Sequence, residues 1–188
     1  YGVFSEKGFP AARPDEIAKR AGVSKGALYL YFETKQDIFE AVVKDAIAPN
    51  IGAIETFVLA FPGPFDQLIR MLAPRVAEIA SQSGMGKVIK MVIGESGNFP
   101  EIARVWHDDV IAKGLGILTG AITRAQERGE VRLGDPRQHA LSIAGPLLAA
   151  VIFRETFVPV GAKPFDIPSL MQQHLDNVLP GLVTSQPT

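Results

Sequence analysis

Apolar residues recur at helical spacing along most of this chain, and proline and glycine separate one such segment from the next. The stretch that begins at Lys35 is typical, because Ile38, Phe39, Val42 and Ile47 fall on one face of a helix. Almost no segment alternates apolar and polar residues with the period of two that a half-buried strand requires. The sequence therefore predicts an all-α fold of about nine helices, without an internal repeat.

The composition excludes several classes of protein. At 188 residues the chain is long enough for one or two domains with a sizeable core. Its formal net charge of −1 leaves no global basic excess, so any nucleic-acid surface has to be local. The absence of cysteine excludes disulfides and thiolate metal sites, and it agrees with a reducing compartment. We therefore expect a cytoplasmic protein.

The sequence also predicts no membrane span and no signal peptide. Its longest apolar run, residues 143–153, contains Gly145 and Pro146 and is too short to cross a bilayer. The chain begins with Tyr1 rather than methionine, so we expect the first helix to be truncated.

Capping residues, prolines and glycines mark where the helices begin and end. In the first third of the chain these boundaries are a stop at Gly8, a start at Pro14, a stop at Gly22, an N-cap at Ser24 and a capping box of Thr34 and Asp37. Further on, a break is expected over residues 61–65, a glycine-rich link near Gly84, and a long helix from residues 96–101 to Arg128. Proline removes a backbone hydrogen bond, so Pro49 should kink or end the helix that Lys35 begins. We therefore divide the chain into domains over residues 1–48 and 49–188.

Two short helices around a glycine-containing turn, within residues 15–31, fit a helix-turn-helix. At 3.6 residues per turn one face of the pair is predicted to point inward, and its members are Ile17, Ala18, Ala21, Val23, Leu28 and Phe32. The opposite face is predicted to point outward, with Lys25 and Tyr31 on its flanks, and its members are Gly26, Ala27, Tyr29 and Leu30. The apolar residues on the two faces are too many for the core alone to cover.

An outward face of this kind suits the groove of a nucleic acid. Gly26 and Ala27 are small enough for the start of the helix to approach base edges. Tyrosine hydroxyls and the ammonium groups of Lys25 and Lys35 can reach phosphates. Residues 18–35 carry four positive charges against one negative charge, which favours this interpretation. The alternative is that the tyrosines fill an interface between helices, and spacing alone leaves both interpretations open.

A resemblance to a known family favours the first interpretation. Residues 8–42 read GFPAARPDEIAKRAGVSKGALYLYFETKQDIFEAV, which closely resembles the N-terminal region of the tetracycline-repressor (TetR) family. The shared pattern is a Gly–aromatic pair, an Ile-Ala-x-x-Ala-Gly-Val-Ser turn, a Leu-Tyr-x-aromatic-Phe run and a lysine that opens the next helix. The rest of the chain resembles the family in helical content and length. The resemblance implies a homodimeric one-component transcription regulator, usually a repressor that a small ligand releases from DNA.

The resemblance also implies which residues contact the DNA. The matching positions are Lys25, Gly26, Ala27, Tyr29 and Tyr31 on the recognition helix, and Lys35 as a phosphate contact at the start of the fourth helix. Where the family often has a hydroxyl cap before the turn, this chain has Arg13, whose guanidinium would make a charge-assisted phosphate contact instead. Tyr31 stands where histidine is common.

Catalytic motifs are incomplete in this chain. Residues 94–98 (GESGN) lack the closing glycine of a nucleophile elbow, and residues 81–88 lack the first glycine and the final hydroxyl of a phosphate loop. His107 lies beside Asp108 and Asp109 but has no second histidine at helical spacing to complete a metal site. We therefore predict no enzymatic activity, no metal and no cofactor. The alternatives that stay open are a helical small-molecule carrier that does not bind DNA, and an activator of the same family.

The second domain is expected to hold an effector and the contacts of a homodimer. Our candidates for a pocket of apolar or aromatic preference are Phe65, Met91, Trp106 and Phe153, with Arg104 and His107 as polar groups. Residues 140–153 are apolar nearly all round, and one protomer cannot easily shield such a helix. The predicted dimer interface is Ala144, Ala149, Phe153, Leu175, Val178 and Leu179. The alternative is an ordinary buried helix.

Overall fold

Helices account for most of the fold. The computed structural model describes residues 2–81 and 84–184. Its α-helices are α1 (Gly2–Ala11), α2 (Pro14–Ala21), α3 (Lys25–Tyr31), α4 (Lys35–Ala60), α5 (Phe65–Ser81), α6 (Met85–Glu95), α7 (Pro100–Trp106), α8 (Ala112–Glu127), α9 (Pro136–Phe157) and α10 (Ile167–Leu182). A π-helical segment, His107–Ile111, joins α7 to α8 without a break, so these two count as one helix. The prediction of an all-α fold with about nine helices is confirmed for the described residues. The predicted glycine-rich link before α6 includes residues 82 and 83, which lie outside them.

The predicted caps of the N-terminal helices are present. The Ser24 hydroxyl accepts a hydrogen bond from the N–H of Ala27 at 3.1 Å, at the start of α3. Thr34 and Asp37 accept each other's backbone N–H at 2.8 and 3.1 Å, which completes the capping box of α4. Gly22 closes α2 with a φ of 73°, in the left-handed region that favours glycine. These boundaries depend on local chemistry, and the sequence predicted them correctly.

Gly8 divides α1 into two helical segments. Its φ of 77° and ψ of 170° are not helical, so the first segment ends there and a second, short one continues to Ala11. The predicted stop at Gly8 is therefore confirmed. The segment after the interruption is held because Phe9 is buried in the core that α1 shares with α4 and α6.

Helix α4 continues through Pro49. It runs for 26 residues from Lys35 to Ala60, a length of about 39 Å at 1.5 Å per residue. Before the proline, α4 packs against α7 and the π-helical segment, and after it against α5 and α8. Packing on both sides offsets the one hydrogen bond that proline removes. The helix does not end at Pro49, and the boundary predicted between residues 48 and 49 falls inside one continuous helix.

Two main hydrophobic clusters lie along α4. In the first, α1–α4 pack against α6 and α7, and the rings of Phe4, Phe9 and Phe39 have centroids 5.4–5.9 Å apart. In the second, the end of α4 packs with α5, α8, α9 and α10 around Phe65 and Ile122. The N-terminal helices therefore join the rest of the protein through α1, which packs on α6, and through α4, which packs on α7 and continues to the second cluster.

The loop between α8 and α9 ties three elements together. Glu130 accepts the N–H of Phe65, at the start of α5, at 2.9 Å, and it accepts two hydrogen bonds from Arg128 at 2.7 and 3.0 Å. The hydrogen bond from Arg128 is the main cause that lowers the pKa of Glu130, and the Phe65 N–H lowers it further. An antiparallel bridge between Val131 and Val183 fixes the end of α10 to the same loop.

Helix α9 has an apolar face that the chain itself does not cover. Leu141 is 60% exposed and Leu148 is 39% exposed, whereas the opposite side of the helix is buried against α6, α8 and α10. Residues 136–160 are long and apolar enough to cross a membrane by length and composition, and 17% of that apolar window is buried. The expectation of no membrane span rested on the shorter uninterrupted apolar run 143–153. The core helix of a soluble protein passes the same test of length and composition.

Candidate nucleic-acid interface

The helix-turn-helix buries part of the face that the sequence assigned to the core. Ile17, Ala18 and Leu28 are buried, and Phe32 packs half-buried against the same cluster. Ala21 and Val23 are exposed instead. They flank Gly22, whose left-handed conformation turns the chain away from the core at that point. The two helices therefore meet through Ile17, Ala18 and Leu28, and the turn itself faces solvent.

The outward face of α3 is apolar and uncovered. Leu30 is 83% exposed, Tyr31 is 82% exposed and Tyr29 is 44% exposed. Gly26 is also exposed, whereas Ala27 is half-buried at the start of the helix. The first turn thus presents small residues and the second turn presents two phenol rings and a leucine. This is the arrangement expected of a helix that enters the major groove.

The cations beside this face are paired with carboxylates. The Lys25 ammonium lies 2.8 Å from a carboxylate oxygen of Asp15, and the guanidinium of Arg13 lies 3.9 Å from the same side chain. The hydrogen bond between Lys25 and Asp15 lowers the pKa of Asp15 and raises that of Lys25. All three side chains are at least 47% exposed, so these ion pairs are screened by solvent and weak. A phosphate can therefore replace Asp15 as the partner of either cation.

The expected excess of positive charge is reduced further by α1. Arg20 donates two hydrogen bonds of 2.8 Å to Glu6, and Lys7 pairs with Glu16 at 2.7 Å. These pairs fasten α1 to α2. The sequence count over residues 18–35 omitted Glu6 and Asp15, which the fold brings beside the basic residues, and it therefore overstated the local excess.

Lys35 is engaged within the protein. Its ammonium donates to the carbonyl oxygens of Phe9 and Pro10 at 2.8 and 3.1 Å and lies 4.6 Å from the centroid of the Phe9 ring. Burial lowers the pKa of Lys35, while the carbonyl acceptors favour its charged form. The predicted phosphate contact therefore also joins the start of α4 to the end of α1, a role that the sequence did not indicate.

The six candidate pocket residues do not line one cavity in the described part of the chain. Met91 and Trp106 are buried in the first cluster and Phe65 in the second. Phe153 packs at the end of α9 against Phe157 and Phe165, with ring centroids 5.3 and 5.0 Å away.

The two polar candidates do not reach a cavity either. Arg104 and His107 are exposed, and His107 lies 2.7 Å from Asp108. The structure has instead a groove between α4 and α5, beside Phe57 and Arg75, which the sequence missed because it requires α4 to continue past Pro49.

The six candidate dimer residues separate into two groups. Leu175 and Leu179 are 1% and 2% exposed inside the protomer, because α10 packs its apolar side on α5 and α9. They are not available to a partner. Ala144 and Val178 are half-buried, whereas Ala149 is exposed and Phe153 is partly exposed. The uncovered face of α9 also includes residues that we did not predict for the interface. These are Leu141, Gly145, Leu148 and Ile152.

Two parts of the chain match known protein families. Residues 2–42, which form α1 to α3 and the start of α4, match the bacterial regulatory proteins of the tetR family. Residues 67–165 match the C-terminal domain of AefR-like transcriptional repressors. This chain belongs to the TetR family. The predictions that it is a transcriptional regulator and not an enzyme are confirmed.

Relatives of this TetR-family regulator extend over most of its length. It is 25% identical over 132 residues to the fatty acid metabolism regulator protein of Bacillus subtilis, an alignment that covers 70% of this chain and 66% of that protein. It is 26% identical over 153 residues to the HTH-type transcriptional repressor BepR of Brucella suis, covering 78% of this chain and 73% of BepR. The chain thus spans slightly less than two thirds of the Bacillus protein.

Solved structures share the fold. A TetR-family regulator from Mesorhizobium loti superposes with a TM-score of 0.81 at 22% identity, covering 97% of this chain and 92% of that one. The complex of SmeT with triclosan gives 0.79 at 20% identity, covering 98% and 88%. FadR from Bacillus subtilis in complex with stearoyl-CoA gives 0.78 at 22% identity, covering 96% and 94%. The arrangement of helices described above is therefore that of the family.

Proposed function

We propose that this TetR-family regulator is a cytoplasmic repressor that binds a palindromic operator as a homodimer and is released by a small effector with an apolar body. The outward face of α3 carries the proposal. Leu30 and Tyr31 are more than four-fifths exposed on a helix that the N-terminal core holds firmly through Leu28. A rigidly held helix with uncovered apolar groups is suited to a groove and poorly suited to water.

The two turns of α3 have different proposed roles. Gly26 and Ala27, in the first turn, let the backbone approach base edges and thymine methyl groups. Tyr29 and Tyr31, in the second, reach phosphates with their hydroxyls, while Leu30 lies against the sugar and base edges. Lys25 exchanges Asp15 for a phosphate, and Arg13 contacts the backbone from the start of α2.

A second copy of this chain is the proposed cover for the apolar face of α9. Gly145, between Leu141 and Leu148, and Ala149, next to Leu148, are small and allow a close approach of two helices. A two-fold dimer places two copies of α3 on one side of the DNA, so the operator is expected to be an inverted repeat. Its half-site centres should lie about 34–36 Å apart, or a multiple of that spacing.

Helix α4 is the proposed connection between effector and operator. Its first turn joins α1 through Lys35, and its segment after Pro49 lines the groove beside α5. An effector that moves the second segment tilts the first and changes the separation of the two copies of α3. The relatives crystallised with stearoyl-CoA and with triclosan both bind molecules with an apolar body, which supports an effector of that kind here.

The test is a gel-shift and footprint with DNA from upstream of the gene. Wild-type protein should protect two half-sites, and its affinity should fall steeply with salt because phosphate contacts release counterions. Leu30→Ala should weaken binding, whereas Leu133→Ala, at a leucine that is 88% exposed in the loop before α9, should not. A single half-site bound by a monomer contradicts the dimer. Absence of any DNA binding favours a helical carrier, and activated rather than repressed transcription favours an activator.

A further inference from the structure

A groove of about 240 Å³ lies between α4 and α5. Helix α4 contributes Asn50, Ile54 and Phe57, which fall on one face because they are four and three residues apart. Helix α5 contributes Leu72 at the floor of the groove and two charged residues at its mouth. The groove is thus apolar at the bottom and polar at the top, the pattern of a site for an amphipathic molecule.

Arg75 carries a positive charge at the mouth of the groove. Its guanidinium lies 5.2 Å from the centroid of the Phe57 ring, so it reaches from α5 across the groove to α4. Among the residues that the structure describes, no carboxylate lies within 4 Å of it and no acceptor takes a hydrogen bond from it. The Phe57 ring holds the guanidinium in place through its face and leaves the N–H donors available to a ligand. A guanidinium held in this way binds a carboxylate or phosphate with two parallel hydrogen bonds.

Leu72 also borders a second space. On its other side lies a space of about 70 Å³ between α5, α8, α9 and α10, which is partly open to solvent and is called the void below, and every residue that lines it is apolar. Leu118, Ile143 and Ala144 form its far wall. Leu72 lines both spaces and is 7% exposed, so a tail that reaches from one space to the other has to displace this side chain. Apolar voids of this kind take up apolar groups rather than water.

We propose that the groove and the void form one binding site for an amphipathic carboxylate, with the carboxylate on Arg75 and the aliphatic tail directed past Leu72. Glu78, one turn after Arg75, lies at the same mouth and repels a second negative charge. The site therefore prefers a singly charged carboxylate to a doubly charged phosphate. The effector role of this site rests on the function proposed above, whereas the binding of the carboxylate does not depend on it.

The experiment is titration calorimetry on the DNA-free protein with octanoate, 1-octanol and octyl phosphate as probes. Octanoate should bind saturably, and the neutral alcohol and the phosphate should bind more weakly. Arg75→Gln should lower octanoate affinity about tenfold or more, because a charged hydrogen-bonding partner is lost, and leave 1-octanol unchanged. Arg132→Gln, at an exposed arginine in the loop before α9, is the matched control. Glu78→Gln should strengthen octanoate binding.

A second variant tests the binding of the aliphatic tail and leaves the residues around the carboxylate unchanged. Ala144→Val adds two methyl groups to the wall of the void, so it should weaken octanoate and leave the shorter butyrate unaffected. Unchanged octanoate affinity in Arg75→Gln, or equal effects of Ala144→Val on both acids, overturns the proposal, as does a lack of octanoate binding by the wild type. If octanoate binds as described but leaves operator affinity unchanged, the site exists but is not an effector site. If the wild-type protein does not bind the operator, the function proposed above is refuted, but the binding site for octanoate is not.

Discussion

Replacing Lys35 with methionine removes the ammonium that joins α4 to α1 and keeps an unbranched side chain of similar length. The lost hydrogen bonds are those to the carbonyl oxygens of Phe9 and Pro10, at 2.8 and 3.1 Å. The Pro10 carbonyl is exposed and recovers water, so the bond to the partly buried Phe9 carbonyl decides the cost. Hydrogen bonds that involve a charged group contribute about 1.5–3 kcal/mol, and partial exposure of Lys35 places the expected loss near the lower end, about 1.5 kcal/mol.

Urea unfolding followed by the fluorescence of Trp106 measures this loss, because Trp106 is the single tryptophan and is buried in the same cluster as Phe9. The midpoint should fall by about 0.5–1.5 M. Lys19→Met is the control, since Lys19 is exposed on α2 and makes no side-chain hydrogen bond or ion pair with the described residues. If Lys35 serves only as a phosphate contact, the urea midpoint will not move. The slope of log operator affinity against log salt concentration will then fall by about one. That result refutes the structural role.

Four further predictions follow from the site and the fold. Ala27→Arg should change the consensus recovered in a binding-site selection, because the proposed docking places position 27 near the base edges, and an unchanged consensus contradicts that placement. Ala149→Asp should give monomers in sedimentation, since a buried unpaired charge costs several kcal/mol, and an intact dimer moves the interface elsewhere. Glu130→Gln should be less stable than the wild type at pH 7, and the difference should shrink as the pH falls from about 4.5 through the lowered pKa of Glu130 in the folded state. Thermal unfolding at pH 7 and pH 3 checks this, and a constant difference argues against it. Pro49→Ala should change the effect of the ligand on operator affinity more than operator affinity itself, and an unchanged coupling factor means that Pro49 has no part in signalling.

The sequence predicted features whose causes are local. Ser24 and the Thr34–Asp37 capping box act within three residues of the groups they satisfy, so their helix starts could be identified without knowledge of the fold. The outward face of α3 was predicted in part: helical geometry places Tyr29 and Leu30 away from Leu28, and both are exposed, whereas Ala27 is half-buried.

Features that depend on distant residues were missed. The partners of Lys35 lie 25 and 26 residues earlier in the chain, and the groove at Arg75 exists because α4 stays helical through Pro49 under packing from both sides. Leu175 was assigned to a dimer interface because its apolar spacing is the same whether α10 faces a partner or its own core. Spacing identifies an apolar face, and only the tertiary fold identifies what covers it.

The π-helical segment between α7 and α8 has a consequence for how chains with this architecture can change in length. The N–H of Ala112 bonds to the carbonyl of His107, five residues earlier, so this turn contains one residue more than an α-helical turn. The extra residue is absorbed locally, and Trp106 before it and Ile122 after it still face their separate cores. A residue lost elsewhere in this helix would rotate everything beyond it by about 100° and turn the apolar side of α8 toward solvent. Residues 107–109, before Val110 and Ile111 pack on the first cluster, are therefore where this helix can lose one residue while α8 keeps its orientation.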